Sequence, residues 1–162
     1  MQGGIAEIVD LGTSGDGIVN DGAIDVTGSA GNLTIDPTTF TNSGTIDVSG
    51  GASAIIGPTT FTNLPAHTLT GGTYEAQAGS TLQIYGDDTI TTDDADIILS
   101  GAGSTIETYN PSTGVTSAID TTLTKIGSTG KLQLLACRNW TTANAVITND
   151  GLIQLGGGIP RP

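Results

Sequence analysis

The string PTTFTNSGTIDVSGG at Pro37 returns as PTTFTNLPAHTLTGG at Pro58, a step of 21 residues. Upstream, NDGAIDVTG at Asn20 matches NSGTIDVSG at Asn42 with a step of 22, and GKLQL at Gly130 matches GLIQL at Gly151, again 21 apart. Self-similarity at a fixed period of about 20–50 residues marks a solenoid, in which one coil cannot bury its apolar face until a neighbour stacks on it.

Within a repeat the period is that of a strand. In GTIDVSG, Ile46 and Val48 share one face while Thr45, Asp47 and Ser49 share the other. That is a period of two, not helical spacing. Gly pairs and Asn-x-Gly units punctuate the runs as turns. The 162 residues include 25 Gly and 28 Thr, and Thr, Gly and Asp are poor helix formers, which excludes a helical bundle.

A coil of this length holds three strands of about four residues and three bends, and stacked coils pair in parallel at ~4.8 Å. The expected fold is all-β. It is a single-domain parallel β-helix, right-handed like most such solenoids, with about seven 21-residue coils over residues 1–158 and an unstructured tail at 159–162. Seven such coils make a rod roughly 35 Å long. The 21-residue step predicts one interior ladder of Phe40, Phe61 and Leu82 and another of Val26, Val48, Leu69 and Ile90. Asn20, Asn42 and Asn63 are expected to form an amide ladder at a bend. The step loosens to 24 between GSTLQIYG at Gly79 and GSTIETYN at Gly103, and YNPSTGVTS (Tyr109 to Ser117) reads as a protruding loop.

TLTGGTYEAQAGSTLQIYGDDTITTDDADIILSGAGSTIE, from Thr68 to Glu107, resembles a segment that recurs in very large secreted bacterial surface proteins. These are adhesin-like β-strand-repeat proteins grouped with autotransporter and filamentous-haemagglutinin-type passengers. The shared elements are LTGGTY, then G-x-LQ, then A-x-I-x-L-x-G. RNWTTANAVITNDGLIQLGGG, from Arg138 to Gly158, is similar to the next element of those proteins, and the resemblance spans roughly residues 37–158. It implies an extracellular, structural or adhesive role and carries over no catalytic residues. Met1 is followed by QGGIAEIVD, without a basic or an apolar leader region. The chain is therefore expected to be a piece of a secreted parent, one that stays cytoplasmic if expressed alone.

Charge narrows the partners. The formal net charge is −12, and all four basic residues, Lys125, Lys131, Arg138 and Arg161, lie in the last 38 positions. Such a surface repels phosphate backbones and anionic headgroups, so nucleic acid is not an expected partner. No apolar run approaches the ~20 residues of a membrane helix, so insertion is not expected either. Open coil ends expose unpaired backbone, which predicts self-association such as a dimer. A glycan is a further possible partner. Cys137 is the single cysteine and is expected to be a buried thiol beside Arg138.

His67, the single histidine, lies 21 residues after Ile46 and 21 before Asp88. In a 21-residue register it takes an aliphatic place in the ladder, with Asp88 on the next coil and Asp47 one strand position away on the preceding one. An Asp–His–Asp group acts as a general base or holds a divalent metal. His67, Asp88 and Asp47 are therefore the candidate catalytic residues. The candidate metal ligands are His67, Asp87, Asp88, Asp93, Asp94 and Asp96, the acids offering hard oxygens suited to calcium and the histidine a nitrogen suited to zinc. No EF-hand loop or GGxGxDx repeat accompanies them. Recurrent Thr-x-Thr units, among them Thr39-Phe40-Thr41 and Thr60-Phe61-Thr62, place threonine rows outward, the pattern of an ice-binding face. The leading reading is a structural or adhesive β-helix fragment that requires no cofactor. The alternatives are a small metal-dependent hydrolase of esters, phosphoesters or glycosides, and a module binding glycan, calcium or ice.

Overall fold

The structure, a computed structural model, describes residues 5–10, 15–29, 31–143 and 146–156, so the 159–162 tail lies outside the described residues. Each alternating run is a strand, and each Gly- or Asn-rich break is a bend. The first coil holds β1 (Ile5–Ile8), β2 (Ile18–Asn20) and β3 (Ala23–Thr27). The second holds β4 (Asn32–Ile35), β5 (Thr39–Asn42) and β6 (Thr45–Ser49). The third holds β7 (Ser53–Ile56), β8 (Thr60–Phe61), a 3-10 turn at Pro65–His67 and β9 (Thr68–Gln77). The fourth holds β10 (Thr81–Tyr85) and β11 (Thr92–Ser100). The fifth runs through β12 (Thr105–Asn110), β13 (Val115–Ala118), the single helical turn α1 (Ile119–Thr122), β14 (Lys125–Ile126) and β15 (Lys131–Leu135). β16 (Thr148–Asn149) and β17 (Leu152–Gly156) close the sixth.

The chain is thus an all-β, single-domain parallel solenoid of about six turns. The count falls below seven because several coils are longer than 21 residues. β9 answers β11 with steps of 24 and 23, and β11 answers β15 with a step of 35. β13 is the one antiparallel strand among the described residues; it folds back on β12, so Tyr109–Ser117 is a hairpin and not an open loop. Asn110 Oδ1 accepts the N–H groups of Ser112 and Thr113 at 2.9 and 3.0 Å and holds its tip.

Two of the predicted ladders are partly redrawn. Phe40 stacks on Phe61 as expected, with ring centroids 6.0 Å apart and planes 15° from parallel. Leu82 does not continue that ladder, since it pairs with Ala54 and Ile106 on another face. Val48 pairs with Val26 and Ala76, and Leu69 pairs with Asp93. The cause is an insertion. Phe40 to Phe61 is a step of 21, but Thr45 to Thr73 is a step of 28. The seven added residues make the Pro65–His67 turn and the start of β9, which pairs forward with β11. The likeness of TLTGG to IDVSGG therefore reflects composition and not position.

The inner columns are Ile24–Ile46–Tyr74–Ile97–Leu132–Ile153 and Val26–Val48–Ala76–Leu99–Leu134–Leu155. A third column carries Ile35, Ile56 and Ile84. The middle rungs are wholly buried, and each such side chain contributes about 1.5–3 kcal/mol of burial. On the last coil the columns emerge: Ile153 is 39% exposed and Leu155 73%.

The amide ladder forms as read. Asn20 Nδ2 donates to Asn42 Oδ1 at 2.8 Å. Asn63 Oδ1 accepts the Asn42 N–H at 2.7 Å, and Asn63 Nδ2 donates to the Asn42 carbonyl at 2.8 Å and the Thr70 carbonyl at 2.6 Å. All three residues are buried, so these bonds pair backbone groups that the bend would otherwise leave without partners.

Candidate functional site

His67 sits at a strained corner. It ends the Pro65–His67 turn with φ +67°, after Ala66 at +48°, both in the left-handed region that disfavours non-glycine residues. The Thr91 N–H donates to the His67 carbonyl at 3.0 Å and fixes this corner to the next coil. His67 Nε2 then lies 3.5 Å from Asp88 Oδ1, and Nδ1 lies 3.1 Å from the Thr89 carbonyl. The predicted His67–Asp88 contact therefore exists, but His67 takes no interior place. Ile46 pairs with Tyr74, and the imidazole is 51% exposed. Each ring nitrogen thus lies beside an oxygen, one of a carboxylate and one of a carbonyl, on the rim of the solenoid.

Asp47 lies elsewhere. It stands in register between Asp25 and Glu75, and Gln77 Nε2 donates to its two oxygens at 3.1 and 3.0 Å. Burial raises the Asp47 pKa; the Gln77 bond opposes that shift and the charge of Asp25 adds to it. Burial likewise raises Glu75, reinforced by Asp47 and Asp96. The column is a row of carboxylates bridged by an amide, and its contacts are with one another and not with His67.

The acids of the Asp87–Asp96 run are dispersed by strand alternation. Asp93 points inward between Leu69 and Ile126 and is wholly buried. Its Oδ1 accepts the Ala95 N–H at 2.9 Å, while Oδ2 has no hydrogen-bond partner. Burial pushes its pKa up to about 7, against the opposing pull of the Ala95 bond. Asp94 accepts from Thr129 at 3.2 Å, and Asp96 takes Gln133 at 2.7 Å and Lys131 at 3.4 Å. Asp87 accepts from Ser112 at 3.2 Å. Among the described residues no three of the histidine, cysteine, aspartate and glutamate side chains converge where they could share a metal ion.

Cys137 is exposed, not buried. The neighbouring Arg138 pairs with Asp120 at 2.8 Å and donates to the Ser104 carbonyl and hydroxyl at 3.2 and 3.1 Å. The threonine row is real but short, with Thr41 and Thr62 hydroxyls 2.7 Å apart.

The repeat pattern gave no sign of a groove of about 440 Å³ beside the His67–Asp88 pair. Its sides are the Gly57–Thr59 bend, Phe61 and Leu64, the Tyr85–Asp88 turn and Pro111–Ser112 of the hairpin tip. A smaller hollow of about 210 Å³ lies across the same Gly86–Asp88 turn. The available signal was the 24-residue step, which sets Tyr85 opposite Tyr109; their ring centroids are 4.9 Å apart. Comparison of the chain with protein-family models, curated proteins and solved structures found no match in any of them.

Proposed function

We propose that the chain is a structural, adhesive β-solenoid module of a secreted bacterial cell-surface protein, working by stacking and surface presentation and not by catalysis. The supporting observation is the unbroken pair of apolar columns that surfaces at Ile153 and Leu155 on the last described coil. β17 pairs with β15 on one side, and its other edge faces no strand among the described residues. An apolar strand edge of this kind is a template for another coil. The proposed partner is a second copy, joined coil end to coil end.

Sedimentation velocity across a concentration series tests this reading. Reversible association that Leu155→Asp abolishes is expected, and a monomer at every concentration would overturn the assembly claim. The metal-dependent hydrolase reading keeps one contact, His67 with Asp88, and loses Asp47 from the group. An ester, phosphoester and glycoside panel run with chelated and metal-reloaded protein separates the two. Turnover lost in His67→Ala would sink the non-catalytic reading.

A further inference from the structure

The geometry points to a second function for the same module: the groove beneath the β12–β13 hairpin binds an uncharged saccharide, with Tyr85 as its stacking wall and Asp87 and Asp88 as hydroxyl acceptors. This inference deepens the adhesive reading by naming a ligand class, and it does not depend on self-association.

Three features of the lining select that chemistry. The first is a fixed aromatic surface. Tyr85 is half-buried and braced by the Tyr109 ring, and Phe61 beneath is held between Phe40 and the edge of Tyr74 at 6.4 Å. A flat ring packed against a second one suits the C–H face of a pyranose, which is apolar and planar enough to lie against it. The second is paired acceptors. Each carboxylate commits one oxygen to the protein, Asp87 Oδ1 to Ser112 and Asp88 Oδ1 to His67. These contacts leave the Oδ2 atoms to accept hydroxyl hydrogens, which a saccharide supplies in adjacent pairs. The third is the absence of any Lys or Arg in the lining. With two carboxylates at the wall and a net charge of −12, the groove disfavours phosphate, sulfate, uronate and sialate groups.

Size agrees. A groove of about 440 Å³ falls at the lower end of the range of about 300–1,000 Å³ typical of small-molecule sites.

An array of immobilised neutral and acidic oligosaccharides, followed by isothermal titration with the best neutral one, tests the assignment. The full chain is expected to bind at least one neutral oligosaccharide saturably and to ignore the sialylated and uronate-containing ones. Tyr85→Ala and Asp87→Asn are each expected to weaken binding at least tenfold, while Tyr85→Phe retains it. Asp87→Asn is a surface change of nearly constant shape, so it keeps the test informative should Tyr85→Ala fail to fold. No binding to any neutral oligosaccharide, a preference for acidic ones, or unchanged affinity in Asp87→Asn would overturn the site. Such failure leaves the sedimentation result untouched, and loss of self-association leaves this titration untouched, so the two claims fail separately.

Discussion

Removing the Asn63 side chain takes hydrogen-bond partners from three backbone groups at one bend: the Asn42 N–H, the Asn42 carbonyl and the Thr70 carbonyl. Asn63 is 6% exposed and Asn42 wholly buried, so water is poorly placed to replace the amide. A buried polar group left without a partner costs about 1–3 kcal/mol. Taking the low end for each of the three groups, Asn63→Ala is expected to destabilise the protein by roughly 3 kcal/mol. Asn63→Asp separates the accepted bond from the two donated ones. It preserves shape and the acceptor for the Asn42 N–H, but it loses both donations and buries a charge. At neutral pH it should cost at least as much as alanine, and part of the loss should return on acidification. Urea unfolding followed by far-UV circular dichroism reads both variants. A cost under about 1 kcal/mol for Asn63→Ala, or a tolerated Asn63→Asp, would refute the claim that the amide ladder holds the bend together.

Other perturbations follow from the same geometry. Gly72 has φ +61°, and a Cβ there would overlap the Asn42 amide; Gly72→Ala should cost more than about 2 kcal/mol in thermal unfolding. Gly79, at φ +70° with open space around it, should cost only about 1 kcal/mol as alanine. His67→Ala should change stability by less than about 1 kcal/mol in urea titration, since its pair with Asp88 is solvent-exposed. Burial pushes the Asp93 pKa from a usual 3.8 up to about 7, so the folded state holds its proton more tightly. Its contribution is full below pH ~3.8 and is lost as pH rises through ~7, a loss on the order of 4 kcal/mol. Burial shifts Asp47 and Glu75 in the same direction. The protein should therefore unfold at lower urea at pH 8 than at pH 5, and Asp93→Asn should flatten that difference.

Strand alternation and the repeat made the parallel solenoid legible, because a period of two repeated every coil has one economical solution. They placed Phe40 on Phe61, Asn42 between Asn20 and Asn63, and Lys131–Leu135 against Leu152–Gly156. The His67–Asp88 contact was also legible, although the step of 21 that suggested it does not run back to Ile46. The insertion before Thr73 was hidden because Thr and Gly recur so often that TLTGG mimics a strand end in register. Asp93 stood among the candidate metal ligands because its neighbours in sequence are acids too. Plain strand alternation turns it inward, in phase with Ile97 and Leu99 further along β11. The groove depended on how the hairpin sits over the Tyr85–Asp88 turn, a tertiary placement that no periodicity encodes.

The register of the third coil is the most direct measure of the account. In a Cys137→Ser background, Asp47→Cys can be paired with Glu75→Cys or with Thr68→Cys. Asp47 and Glu75 are opposite one another on neighbouring parallel strands, at a spacing of ~4.8 Å that a disulfide spans. Thr68 is where an unbroken 21-residue step would put the partner; it lies seven residues back along β9, beyond the ~7 Å between Cα atoms that a disulfide can bridge. Mild oxidation should close the 47–75 bridge quantitatively and leave the 47–68 pair open. Closure of the 47–68 pair, with the 47–75 pair left reduced, would contradict the stacked-coil register on which both the interior columns and the groove depend.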